Sequence, residues 1–176
     1  MATSKMSPID KLDHAKGAAS PAVTIVLYGD YDCPHTRASY PILEKLMREQ
    51  PDVGLVFRHF PLRQIHPNAE MLARIAEGAA KQGKFWEMHA RLMLHRRAID
   101  ESDVMRDARE IELDMDRVRE DIAASDAIGK RIERDVQSGR ASGVHSTPSF
   151  FFGDALHDGH YDYGTLKARL EEARAS

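Results

Sequence analysis

The chain has one cysteine, Cys33, and it opens the tetrapeptide Cys33-Pro34-His35-Thr36. A thiol is a nucleophile only as its thiolate, so its surroundings decide whether it reacts. Residues 23–28 (VTIVLY) form an apolar, largely β-branched run closed by Gly29, which predicts a strand buried on both faces. After the cysteine, Ile42, Leu43, Leu46 and Met47 fall at helical spacing. Pro34 suits the first helical position, where its missing N–H is no loss, and Pro41 is expected to kink the helix. Cys33 is therefore expected where a strand hands over to a helix. Free N–H groups and the positive end of the helix dipole stabilise a thiolate there, and a protonated His35 would add to the effect. Asp30 and Asp32 oppose it with negative charge, and their orientation is open at this level. The ordinary fate of a lone cysteine is inert burial. The junction position, at the end of a strand where α/β sheets build their sites, favours chemistry instead.

A second feature is Thr147-Pro148, directly before the apolar run 149–152 (SFFF). A proline that opens a strand can simply sit where no ladder N–H is needed. A single cysteine excludes an intrachain disulfide and a cysteine-only zinc site. Nine histidines are present, with His145, His157 and His160 near the second feature, but no recognisable ligand set surrounds them and no metal is expected. Phe85, Trp86, Met88 and His89 have the spacing of a packed helix, with Trp86 expected at the edge of a cleft. Arg106, Arg109, Glu110 and Glu112 read as the solvated face of another helix.

These residues need a scaffold, and 176 residues can bury a core of their own. The 25 basic and 28 acidic residues give a net charge of −3, which leaves no electrostatic footprint for nucleic acid or an anionic membrane. No window approaches the ~20 apolar residues of a membrane span, and no leader of signal-peptide type opens the chain, so a cytoplasmic location is expected. Residues 1–21 lack any period and read as a flexible lead-in. Residues 22–65 form a βαβ unit whose second strand is 53–57 (VGLVF), residues 66–140 an all-helical insertion, and residues 141–176 a ββα unit. In the helical stretch Asp100, Asp114 and Ser125 or Asp126 are candidate caps. The hairpin is expected to pair 149–152 with a strand near 156–161, followed by a helix over 163–173. The fold class is α/β.

Strand, Cys-Pro-His-Thr at a helix start, second strand, helical insertion and Thr-Pro-initiated hairpin together resemble the DsbA-like branch of the thioredoxin superfamily. The segments GDYDCPH, VFRHFPL, KFWEMH and GVHSTPSFFFGD occur in that family's order, and the match spans residues 22–173. It is similar in particular to signal-less DsbA-like proteins, some of which occur as C-terminal domains of Na⁺/H⁺ antiporters. The resemblance implies a thioredoxin-like fold with Cys33 as nucleophile, Pro34 and His35 as the dipeptide that tunes it, and Pro148 as the cis-proline facing the thiol. Thr147 would be the residue whose backbone meets a bound peptide. The family's resolving cysteine is Thr36 here, which removes the dithiol cycle and leaves monothiol exchange with a protein thiol or glutathione as co-substrate. Thr36 could donate its O–H to the Cys33 thiolate. A second class of function is a redox-inactive module that holds an extended peptide beside Pro148. No bound cofactor, no nucleic-acid partner and a monomer are expected. An iron–sulfur role and glutathione conjugation, which relatives perform with serine at the active position, are weaker readings.

Overall fold

The centre of the sheet is built from two apolar runs, and their period of two assigns each residue to a face. The computed structural model describes residues 5–176. Strand β1 (His14–Gly17) lies at one edge, followed in space by β3 (Val53–His59), β2 (Val23–Gly29), β4 (Ser149–Phe152) and β5 (Ala155–His157). β2 and β3 are parallel, and the other neighbours are antiparallel. Ile25, Leu27, Phe57, Phe150 and Phe152 enter one core, while Val26, Tyr28, Val56 and Phe151 enter a second on the opposite face.

Helix α1 (Pro34–Glu49) and the C-terminal α7 (Tyr163–Arg174) bring Leu43, Leu46, Leu166 and Leu170 to the first core. α1 is a single helix that runs through Pro41. The insertion consists of α2 (Ala69–Ala80), α3 (Phe85–Leu94), α4 (Glu101–Glu110), α5 (Met115–Ala124) and α6 (Ala127–Ala141). Asp100 closes a capping box at α4, and Asp114 caps α5 by accepting from the Arg117 N–H. Asp126 precedes α6 without a side-chain cap bond. Among the described residues no helix is long and apolar enough to cross a membrane.

The lead-in departs from expectation. Residues 1–4 lie outside the described residues, but the rest of the lead-in is bound to the sheet. His14–Gly17 pairs with 54–57 as β1, and the buried Arg58 holds the turn before it. Its guanidinium donates to both Asp13 carboxylate oxygens at 2.8 and 2.9 Å and to the carbonyls of Ser7 and Pro8 at 3.0 and 2.8 Å. Burial works against both charges, yet their mutual hydrogen bonds leave Asp13 below and Arg58 above their ordinary ranges. The hairpin's second strand is also shorter than expected, ending at His157 because Asp158-Gly159 turns the chain away.

Where β2 ends, the sheet approaches α1 so closely that only glycine fits. A Cβ on Gly29 would stand 2.6 Å from the Phe57 ring and 3.0 Å from Thr36 Cγ2, both buried. Gly29→Ala is expected to cost about 1–3 kcal/mol by overpacking. A urea midpoint unchanged from the parent protein would show that the junction has slack.

Candidate active site

The first turn of α1 leaves backbone N–H groups without helical partners, and Cys33 occupies its N-cap. Its φ and ψ of −73° and 117° are extended, its N–H donates to the Asp30 carbonyl at 3.1 Å, and its carbonyl accepts the first helical bond from Arg37 at 3.2 Å. The sequence-local turn thereby sets the thiol at the positive end of the helix, where a developing negative charge on sulfur is favoured. Across from it, the Thr147 carbonyl accepts the Cys33 thiol hydrogen at 3.4 Å, and the Thr147–Pro148 bond is cis. The sulfur residue is only 3% exposed, whereas Pro34 and His35 face solvent. His35 Nδ1 lies 3.0 Å from the Tyr161 hydroxyl.

The two carboxylates whose orientation was open are engaged in the loop before α2. Asp30 accepts from the N–H groups of Asp32 and Leu62 at 2.8 and 2.9 Å and lies 2.7 Å from His66 Nδ1. Asp32 accepts from the Asn68 N–H at 2.9 Å. Both carboxylates thus accept hydrogen bonds from the segment 62–68. Thr36 differs from expectation. It is fully buried, its Oγ1 accepts from the Asp30 N–H at 3.4 Å, and among the described residues no hydrogen bond joins it to the thiol. The Thr36 oxygen thus meets the end of β2 rather than sulfur.

Two supports of the thiol loop are not evident in the sequence. Tyr31 packs on Phe57 and its hydroxyl lies 2.9 Å from His89 Nδ1 on α3. Burial is the main influence on both, driving the tyrosine pKa well up and the histidine pKa well down. The pair is consequently neutral, and one hydrogen bond joins the two rings. Arg37, also buried, donates to the Tyr31 carbonyl at 2.6 Å and to the His95 carbonyl at 2.9 Å, so the thiol loop is tied to the end of α3. Beside that tie, Pro34, Ala38 and Pro41 of α1 face Met93, Leu94 and Arg96 across a surface cavity of about 380 Å³. Only distance in sequence hid these partners, because α1 and the end of α3 are separated by more than forty residues.

Trp86 does not reach this cleft. Its indole N–H donates to the Ala15 carbonyl at 3.3 Å and Lys16 lies 4.9 Å over its ring, so it covers the β1 edge. His157 lies 2.6 Å from the His160 carbonyl within its own turn. Pro148, Thr147 and Cys33 are thus brought together, Thr36 lies beneath them in the core, and His35 stands at the rim.

A family model described as Thioredoxin matches residues 10–172. The chain belongs to the thioredoxin family. Among solved structures, a thioredoxin-like oxidoreductase from Silicibacter pomeroyi DSS-3 superposes with a TM-score of 0.86 at 29% identity, covering 95% of each chain. The thiol-disulfide exchange protein α-DsbA2 from Wolbachia pipientis shares the fold with a TM-score of 0.80 at 22% identity over 93% of this chain and 88% of its own. This thioredoxin-family fold carries its helical insertion, α2 to α6, between β3 and β4, and the chain shares the fold with both structures. In sequence the chain is 40% identical over 172 residues, 97% of its length, to Na(+)/H(+) antiporter NhaA 3 of Salinispora tropica. It spans about a quarter of that relative, 26% of its length.

Proposed function

We propose that this chain is a single-thiol member of the thiol–disulfide oxidoreductases, working through Cys33 with glutathione or a protein thiol as its second sulfur. The observation that carries the reading is the placement of Cys33 Sγ at the N-terminus of α1, 3.4 Å from the Thr147 carbonyl. A Cys33 thiolate attacks a disulfide, forming one new S–S bond as the original one breaks and one partner leaves as thiolate. A second external thiolate then attacks the mixed disulfide and releases Cys33, so the thiol is regenerated and the two external sulfurs end as a disulfide. No second cysteine is present to do this within the chain.

The backbone at Thr147 supports a role in aligning an extended substrate, since main-chain groups bind peptides irrespective of side chain. The cavity between α1 and the end of α3 supports a site for the substrate's flanking residues, with the exposed Leu94 as its apolar contact.

Incubation of the native protein with oxidised glutathione is expected to give one glutathione adduct per chain by intact mass, and none in Cys33→Ser. Reduced glutathione should then remove it. An adduct that forms only after the protein is unfolded would sink the proposal. The burial of Cys33 would then favour a peptide-holding module with an inert thiol.

A further inference from the structure

Away from the thiol, three side chains from separate elements converge on one point. His14 comes from the edge strand β1, His59 ends β3, and Glu77 lies on α2. His14 Nε2 is 2.6 Å and His59 Nε2 is 2.8 Å from the same oxygen, Glu77 Oε1, and the three ligand atoms lie within 4.8 Å of one another. The rings are held in place by aromatic neighbours. His14 stacks on Phe85 with centroids 3.5 Å apart, and His59 meets Phe57 and Phe85 edge-on.

We propose that His14, His59 and Glu77 form a binding site for a divalent metal ion of the zinc class, with water in the fourth position. Two imidazoles and one carboxylate are a set that suits this ion, whereas magnesium and calcium prefer oxygen-only shells. Binding needs the Nε2 lone pairs, so the Nε2 protons would shift to Nδ1; His59 Nδ1 is buried without a hydrogen-bond partner among the described residues, which limits the affinity of the site. Glu77 also forms part of the wall of a surface cavity of about 270 Å³, and the His14 side chain is 16% exposed. The cations in that wall are already engaged, Lys81 with Asp121 at 2.7 Å and Arg131 with Asp135 at 2.5 Å.

The atoms must separate to receive an ion. Four-coordinate zinc with bonds of about 2.0–2.1 Å needs ligand atoms roughly 3.3 Å apart, so the 2.6 Å His14 contact would open by about 0.7 Å and the 2.8 Å His59 contact by about 0.5 Å. The Glu77 side chain, which both imidazoles share through one oxygen, is the group whose rotation would open both contacts. The ion would fasten β1, β3 and α2 together behind Tyr31, whose ring already meets His59.

The test uses the full chain with the Cys33→Ser substitution, so that sulfur cannot compete. Zn²⁺ is titrated against a chromophoric chelator. One ion per chain is expected, with affinity reduced at least about tenfold in His14→Gln and in Glu77→Gln while circular dichroism remains native. X-ray absorption should show nitrogen and oxygen at about 2.0–2.1 Å, and the parent protein with its thiol should show no sulfur at about 2.3 Å. Zn²⁺ held equally well by both variants, or no retention at all, overturns the site. If Glu77→Gln fails to fold, His14→Gln decides, since His14 is half-buried at the sheet edge. The proposal stands or falls independently of the glutathione experiment, which reads only Cys33.

Discussion

Thr36→Cys is expected to convert a persistent glutathione adduct into a fleeting one. In the parent protein Cys33 is the sole thiol, so a Cys33–glutathione disulfide would wait for an external thiol. Positions 33 and 36 are three apart across the N-cap and first turn of α1, which places side chains on one face within ~5–6 Å between Cβ atoms. That range overlaps the separation a disulfide requires after small adjustment. A thiolate at position 36 would attack the Cys33 sulfur, form an intrachain S–S bond and expel glutathione as thiolate. Intramolecular attack gains effective molarities far above any external thiol, so decay at least about tenfold faster is expected at equal glutathione. The structural cost is modest. Thr36 gives up a methyl packed near Gly29 and a long acceptor contact to the Asp30 N–H. Intact mass after a pulse of oxidised glutathione checks the result, as loss of the adduct with formation of a species two hydrogens lighter than the reduced variant. Adduct lifetimes equal to the parent's would mean that position 36 does not face the thiol, and the buried orientation of Thr36 would then be a barrier to dithiol chemistry.

The parts of this site that could be read from sequence are those whose signal is local. VTIVLY and SFFF are continuous apolar runs, and a sheet strand covered on both faces has no other composition. Cys33 at a helix start follows from Pro34 alone, and the Asp100 and Asp114 caps follow from residue type and the run behind them. β1 is opaque for the opposite reason. HAKG has no apolar alternation, and it is a strand only because β3 offers an edge and Arg58 grips the turn before it. The same non-locality hides the proposed metal site, since His14, His59 and Glu77 belong to three elements and no spacing rule joins them. It also explains the Thr36 and Trp86 departures. Each side chain meets a polar backbone group, Asp30 N–H for one and the Ala15 carbonyl for the other, on a segment whose position could not be known in advance.

The grip of Arg58 on the N-terminal segment implies a large stability effect outside the apolar core. The guanidinium and the Asp13 carboxylate are 1% and 0% exposed, so neither can fall back on water if the other is removed. Asp13→Ala leaves Arg58 with the Ser7 and Pro8 carbonyls and the Tyr28 hydroxyl but without an anion. Loss of one partner of a buried pair typically costs about 3–5 kcal/mol, and that is the expected decrease in unfolding free energy by urea titration. The loss should be selective in space. Amide hydrogen exchange should accelerate most in β1 and in the 54–57 segment that pairs with it, since β1 holds the sheet on one side only. Arg58→Met on the same background removes the stranded charge, and the double variant should recover part of the loss, as an apolar replacement of both partners is often close to neutral. Full recovery is not expected, because two carbonyls would still lack the donors that Arg58 supplies. A cost below about 1 kcal/mol for Asp13→Ala would mean that water reaches the guanidinium readily, and that β1 is held by its strand pairing rather than by the ion pair.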